Sequence, residues 1–378
     1  MVRTRNSAHV RKVRYAVVGL GYIAQVAVLP GFRHARGNSV LTGLVSDDPV
    51  KIQKLGRMYG VEHAWSYDDY DACLASGLVD AVYIALPNAM HEEYAVRAAR
   101  AGIHVLCEKP LAMTEKECER MIAAADDAGV RLMTAYRLHF EDANTRAIEI
   151  ANSGRIGEPR LFESVFTMQV RDPDNIRLDE ERGGGTLYDI GIYCINAMRY
   201  LFRAEPIQVT AMSANGIGPR FSEVEEMCAA TLRFPGERLG SFICSFGAGD
   251  VSSYRIVGTK GDLRVEPAYD FANGLCHHLT VGGRTSRRVF AKRDQFAPEL
   301  IHFSKCIQEG EEPEPSGREG LADVRIIRAL YASAERGGQP VDLAPFERSE
   351  RPSPKNELRK PAVAKPGLVH ARSPSGRS

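Results

Sequence analysis

Between residues 11 and 136, short apolar runs alternate with stretches of helical length, and few folds accommodate that pattern. YAVVG at Tyr15–Gly19 reads as a buried strand, and LGYIAQVAVLPGF after it reads as a turn feeding a helix. VLTGLV at Val40–Val45 and VDAVYIAL at Val79–Leu86 are the next strands. VKIQKLGRMYG from Val50 and YDDYDACLAS from Tyr67 lie between them as helical text. EEYAVRAARAG stops at Gly102, IHVLCE follows as a strand, EKECERMIAAADDAG is a helix stopped by Gly129, and VRLMTAY is a strand. Strands apolar on both faces, separated by helices, predict a parallel sheet covered on both sides.

Beyond residue 136 the texture changes. A helix at Asn144–Asn152 precedes longer runs, RLFESVFTMQV, IQVTAMSA, EEMCAATLRF, RLGSFICSF, SSYRIVGT and GDLRVEP, several of them parted by turn text such as FPGE and GTKGD. This predicts a second, mostly antiparallel sheet, interrupted by a helix from Thr186 and followed by helices at Gln295–Glu309 and LADVRIIRALYASAERG. A chain of 378 residues has room for two cores. The expected fold class is α/β: an N-terminal dinucleotide-type domain over 13–136 and a C-terminal α/β domain on an open, mostly antiparallel sheet over 137–345, for substrate and oligomerisation. Residues 1–12 are expected to be a flexible N-terminus. Residues 346–378, rich in Pro, Ser, Arg and Lys, are expected to be a disordered tail.

Composition excludes several classes of function. A formal net charge of +1 gives no electrostatic case for nucleic acid. The eight cysteines include no C-x-x-C pair, so neither a disulfide scaffold nor a metal site is expected, and the thiols fit a reducing cytoplasm. The basic N-terminus lacks the apolar core of a secretory signal, and no uncharged run spans a bilayer. A cytoplasmic protein without membrane contact is the expectation.

VVGLGYIA, Val17–Ala24, fits G-x-G-x-x-A after a strand and before a helix. Gly19 allows the tight turn, Gly21 lets a pyrophosphate approach the backbone, and Ala24 lets helix and sheet pack closely. The following helix offers free N–H groups to phosphate. A structural glycine turn is the plain alternative. At the tip of the second strand the residues are Ser46, Asp47 and Asp48, with Lys51 a helical turn farther. Ser46 and Lys51 suit the extra phosphate of NADP, whereas Asp47 suits the ribose diol of NAD unless it points away. The balance favours NADP, with NAD open.

CEKP places Lys109 just past the carboxyl end of a strand, where ligands bind in such sheets. Pro110 either fixes the backbone there or simply ends the strand, and Lys109 either meets substrate or pairs with a surface acid. The second stretch is GGGTLYDIGIY, in which Gly183–Gly185 read as a flexible lead-in and Thr186 as a helix cap. Asp189 and Tyr193 are four apart and share one helical face. An acid and a phenol in an apolar helix are costly to bury unpaired, so they are either a structural pair or chemistry. As chemistry, Tyr193 would be the acid/base, Lys109 its electrostatic partner and Asp189 an orienting or anchoring group.

Gly19–Ala24, the EKP at 108–110 and GGG-x-x-x-D-I-G-x-Y at 183–193 occur in one order and resemble the Gfo/Idh/MocA oxidoreductase family over about residues 13–345. YAVVGLG, DAVYIALPN, CEKP, YR-x-H at Tyr136–His139 and DIGIY resemble most its glucose–fructose oxidoreductase branch. The resemblance implies a Rossmann domain, a sheet that forms homodimers or homotetramers, and hydride transfer between NAD(P) and a sugar, polyol or related carbohydrate. It implies cofactor contacts at Gly19, Gly21, Tyr22, Ile23, Ala24, Ser46, Lys51, Leu86, Asn88, His91, Glu108 and Lys109. It implies substrate contacts at Lys109, Arg137, His139, Asp189 and Tyr193. The N-terminus is too short for the export signal and cofactor-trapping arm of that branch, and Asp47 stands where a glycine is expected. A catalytically idle nucleotide- or sugar-binding regulator on the same fold is the alternative.

Overall fold

The protein is described by a computed structural model over residues 11–216, 219–348 and 351–375. The first sheet has strands β1 (Val13–Val18), β2 (Ser39–Val45), β3 (His63–Trp65), β4 (Ala81–Ile84), β5 (His104–Glu108) and β6 (Leu132–Ala135). All pair in parallel, in the order β3-β2-β1-β4-β5-β6. The direction of winding reverses between β1 and β4, so the crevice for a ligand opens at their carboxyl ends. In this sheet β3 is the strand that the sequence did not reveal: it is three residues long, at an edge, with His63 and Ala64 exposed, and has no apolar run. Local chemistry sets the helix ends. Asp48 accepts the Val50 and Lys51 amides to start Pro49–Tyr59, and Thr114 with Glu117 forms a capping box for Glu115–Ala128.

The second sheet is built from β7 (Pro159–Thr167), β8 (Gln208–Ala214), β9 (Met227–Phe234), β10 (Arg238–Ser245), β11 (Val251–Gly258), β12 (Gly261–Val265), β13 (Cys276–Val281) and β14 (Arg284–Val289). Its order is β14-β13-β12-β11-β7-β10-β9-β8, extended at the far edge by β16 (Val341–Asp342); the two-residue β15 (Arg293–Asp294) lies outside it. Every pair is antiparallel except β7 with β10. Along β9, Cys228, Ala230, Leu232 and Phe234 are buried and their neighbours face out. The buried face packs in one core with Ile192–Phe202 and Gly317–Glu335. The other face keeps Met212, Leu239 and Ile243 exposed.

Both ends of the chain depart from or fall outside expectation. Residues 1–10 lie outside the described residues, and Arg11 pairs with Asp80 at 3.1 Å. The tail from 346, expected to be disordered, is ordered where described. Arg351 pairs with Glu205 at 2.9 Å, the Leu358 amide donates to Phe140 O at 3.2 Å, and β17 (Lys360–Pro361) pairs with β15. Composition counts apolar burial, whereas this segment is held by backbone hydrogen bonds and paired arginines.

Candidate active site

The turn after β1 is shaped for a dinucleotide. Gly19 sits at φ +91°, and a Cβ there would lie 2.5 Å from Ala85 O, so only glycine fits between the ends of β1 and β4. A Cβ at Gly21 would meet nothing within 4 Å, which leaves open space against bare backbone for a pyrophosphate. The chain is helical from 22, with a π-turn at Ala24–Val28. Tyr22 and Ile23 are half-buried around this end, and Ala24 is fully buried against the sheet. The residues present therefore fit the dinucleotide that the motif implies.

At the tip of β2, Ser46 is buried and its Oγ accepts the Asp48 amide at 3.2 Å. Asp47 is turned to the Tyr67 amide, 2.8 Å from its Oδ1. Asp48 accepts the Lys51 and Val50 amides and lies 2.9 Å from the His370 ring. The Lys51 amide bond, with the other contacts, holds its carboxyl below the usual range. Both acids are thus engaged by the protein, and Lys51, half-buried, stands in the first turn of the helix that Asp48 caps.

The strand-end residues divide. Leu86 flanks Gly19, its Cδ2 lying 3.1 Å from where a Gly19 Cβ would be. Asn88 donates to Gly183 O at 2.7 Å and so ties the first domain to the glycine run of the second. His91, expected to touch the cofactor, is instead fully buried, with its ring nitrogens 2.9 Å from Pro110 O and 3.0 Å from Leu86 O. It braces two loops from behind, and burial lowers its pKa, which keeps it neutral. Glu108 accepts the Tyr83 hydroxyl at 2.8 Å, and burial raises its carboxyl.

The structure brings Lys109, Asp189 and Tyr193 together. Lys109 follows β5 at a cis peptide bond to Pro110. Its Nζ donates to Asp189 O at 2.7 Å and to Asp189 Oδ1 at 3.2 Å, and lies 4.9 Å from the centre of the Tyr193 ring. The other Asp189 oxygen accepts Arg177 Nε at 2.6 Å. Burial alone would raise the Asp189 carboxyl, but Arg177 and Lys109 hold it far below the usual range. Burial likewise works against the Lys109 ammonium, yet Tyr193, Asp189 and Glu108 outweigh it and raise its pKa. Arg177, on the turn Ile176–Leu178, carries no signal in the sequence; only tertiary folding brings it to Asp189.

The helix bearing these groups starts differently from the expected form. Leu187–Gly191 is a π-turn that runs into the α-helix Ile192–Phe202, so Asp189 and Tyr193 are four apart in a wider turn and still meet one lysine. Gly183–Gly185 are packed rather than flexible: Gly183 and Gly185 have positive φ, and a Cβ at Gly185 would lie 2.5 Å from the Tyr331 hydroxyl. Thr186 does not cap the helix. Glu225 does so from before β9, accepting the Thr186 amide at 2.7 Å and its hydroxyl at 2.6 Å.

Arg137 and His139 separate. Arg137 is buried, donates to Tyr269 O at 2.5 Å and to Gln295, and places its guanidinium 5.1 Å from the Tyr193 ring centre and 5.4 Å from that of Phe271. His139, expected at the substrate, is fully buried between Glu314 at 3.1 Å and Asn196 at 2.8 Å, so both ring nitrogens are used inside the protein. The Tyr193 ring lies against Phe166 and Tyr269, with centroids at 5.6 and 5.9 Å. Among the described residues there is no cluster of three or more metal-ligating side chains placed to hold a metal ion, and no helix is long and apolar enough to cross a membrane.

Comparison with known proteins gives the following. The family described as an oxidoreductase family with an NAD-binding Rossmann fold matches residues 13–136, and the GFO/IDH/MocA C-terminal domain matches residues 145–264. The chain is 36% identical over 330 residues to a D-xylose 1-dehydrogenase [NADP(+)] of Haloarcula marismortui, covering 85% of this chain and 91% of that protein. It is 30% identical over 326 residues to D-xylose 1-dehydrogenase (NADP(+)) 2 of Haloferax volcanii, covering 85% of this chain and 98% of that one. Among solved structures, an aldose-aldose oxidoreductase from Caulobacter crescentus complexed with glycerol superposes with a TM-score of 0.84 at 38% identity, over 88% of this chain and 100% of that chain. The expected likeness to the glucose–fructose branch is corrected here: these names are those of D-xylose dehydrogenases and of an aldose-aldose enzyme.

Proposed function

Since the chain belongs to the Gfo/Idh/MocA oxidoreductase family, we propose that it is an NADP-linked aldose dehydrogenase or reductase with Tyr193 as its acid/base. The carrying observation is that Lys109 Nζ contacts Asp189 and the Tyr193 ring at once, joining the carboxyl edge of one domain to a helix of the other. Bound NADP supplies the acceptor or donor of hydride. This chain's residues handle the proton and the charge. Tyr193 takes the proton from the substrate hydroxyl as the carbonyl forms, and returns it in reduction. Lys109 and Arg137, 4.9 and 5.1 Å from the Tyr193 ring centre, stabilise the negative charge that develops at that oxygen. Asp189, held ionised by Arg177 and Lys109, orients the ammonium. Phe166 and Tyr269 support the Tyr193 ring.

Aldoses are favoured because the relatives at 36% and 38% identity carry xylose and aldose in their names. NADP is favoured because Asp47 and Asp48 are both engaged by backbone amides, which leaves Ser46 and Lys51 at the tip of β2. The exposed face of the second sheet, with Met212, Leu239 and Ile243, is proposed to pair with a second copy, and light scattering should then show a dimer or larger.

The deciding experiment follows reduced-cofactor absorbance with a panel of aldoses and polyols, NAD and NADP in parallel, on the native protein and on Tyr193→Phe. The expected result is NADP-linked oxidation of an aldose, reduced by about 100-fold or more in the variant at unchanged NADP affinity. Near-native turnover by Tyr193→Phe would remove Tyr193 from the acid/base role. Binding of sugar and nucleotide without turnover in the native protein would point to the idle binding protein.

A further inference from the structure

The C-terminal segment touches both domains. Val369 is buried, and its backbone makes two hydrogen bonds with the Gln25 side chain, Gln25 Nε2 to Val369 O and Val369 N to Gln25 Oε1, both at 2.8 Å. Gln25 is 1% exposed and stands in the first turns of the helix whose start faces the pyrophosphate space. Its amide also donates to Leu20 O at 2.9 Å. Without the tail, a buried carbonyl oxygen and half of a buried amide would lose their partners, so the seat for Val369 is built into the first domain. One residue on, His370 holds φ +45° and places Nδ1 2.9 Å from Asp48 Oδ2. Asp48 caps the helix that carries Lys51, and its amide bonds Ser46. The chain then reaches the second domain: Arg372 Nη1 lies 3.9 Å from Asp172 Oδ2, and the Arg171 amide donates to Pro374 O at 3.4 Å. Val369 and Pro374 are buried, and His370 and Arg372 between them are exposed.

We propose that residues 368–374 complete the dinucleotide site by covering the adenosine end of NADP, with His370 beside the ribose phosphate together with Ser46 and Lys51; this rests on the NADP reading above. Three features carry it. The anchors at Gln25 and at Arg171–Asp172 lie on different domains, so the residues between them bridge the two, beginning beside the pyrophosphate turn and passing the tip of β2. The exposed side chains on that passage include an imidazole and a guanidinium, which suit a phosphate dianion. His370 also occupies the Asp48 carboxylate, the charge that would otherwise oppose a phosphate at the tip of β2. Release of the dinucleotide then requires the Gln25–Val369 hydrogen bonds to open.

The test measures binding and release of NADPH and NADH by stopped-flow fluorescence. It compares the full chain, a chain ending at Gly367, Val369→Pro, which removes the amide that Gln25 accepts, and His370→Ala. Thermal midpoints and circular dichroism confirm folding; should the shortened chain not fold, Val369→Pro decides. Expected are release of NADPH about 10-fold faster from the shortened chain and from Val369→Pro, the scale of one or two lost hydrogen bonds. His370→Ala should weaken NADPH by about 5-fold and NADH by less than about twofold, the difference being one charged hydrogen bond. Release unchanged within about twofold, or tighter binding after shortening, overturns the cover. Equal weakening of NADPH and NADH by His370→Ala overturns its place at the phosphate. If the full chain itself prefers NADH, the NADP reading fails, and the release of NADH from the shortened chain still decides whether the segment covers the site.

Discussion

Two groups of buried charge lie where the domains meet, and they are built in opposite ways. Around Lys109, Asp189 and Arg177 the side chains are 12%, 18% and 25% exposed, and among the described residues nothing hydrogen-bonds the Tyr193 hydroxyl beside them. Around Arg199 the charge is sealed. Arg199 is 1% exposed and meets Glu319 at 2.6 Å, Asp323 at 2.7 Å and Glu205 at 2.6 Å. Asn196 donates to Glu319 and Asp323, and the Tyr136 hydroxyl donates to Asp323 at 2.6 Å, which links the end of the first domain to the long helix of the second. Both groups satisfy their charges, but only the first leaves a proton-bearing group open. Closed networks fix a structure, and open ones leave room for a substrate.

If that distinction holds, damage to each group should appear in a different measurement. The largest effect is expected for Lys109→Met, with turnover lower by about 100-fold or more and the thermal midpoint almost unmoved. A large loss of stability with normal turnover per folded molecule would place Lys109 in the structural class. Arg199→Met should do the reverse. It leaves Asp323 without its cation and Glu205 and Glu319 with only Arg351 and Arg348, at a cost of about 3–5 kcal/mol in urea unfolding, with turnover per folded molecule preserved. A drop in turnover without unfolding would show that the two groups are coupled.

Glu205→Gln should have the smallest effect and should be pH-dependent. Burial would raise the Glu205 carboxyl, but Arg199 and Arg351 hold it down, at about 2. A depressed carboxylate stabilises the fold fully above its unfolded value of about 4.3 and loses that contribution as pH falls towards the folded value. The gap in unfolding free energy between native and variant, about 1–3 kcal/mol, should be constant above pH ~5 and narrow below it. A gap that persists unchanged at pH ~3 would mean that packing, not charge, holds Glu205 in place.

The first domain was largely legible because its signals are local. The G-x-G-x-x-A turn at Gly19–Ala24 and strands of continuous apolar text depend on neighbours in the chain. β14 was not legible because all its residues are exposed, so no alternation marks it. Lys109, Asp189 and Tyr193 were singled out by residue type and position, and the fold brings them together. Arg177 was not, because a loop arginine looks the same whether it meets solvent or an aspartate twelve residues on. The packing of His91 and His139 was not legible for a related reason. A histidine near a motif reads as functional, and only packing shows that its nitrogens are spent on Pro110 and Leu86, or on Glu314 and Asn196.

The sequence by itself determined the parallel sheet, the turn that can take a dinucleotide, the second sheet and the identity of the central lysine, aspartate and tyrosine. These follow from periodicity, steric limits at glycine and the chemistry of single side chains, all encoded within a few residues. Tertiary structure alone decided that Arg177 holds Asp189, that Glu225 caps the helix bearing Asp189 and Tyr193, that Arg199 is sealed, and that a polar tail lies on Gln25 and Asp48. Each joins groups from separate segments, through a partner whose charge or hydrogen bond has no periodic trace in the chain.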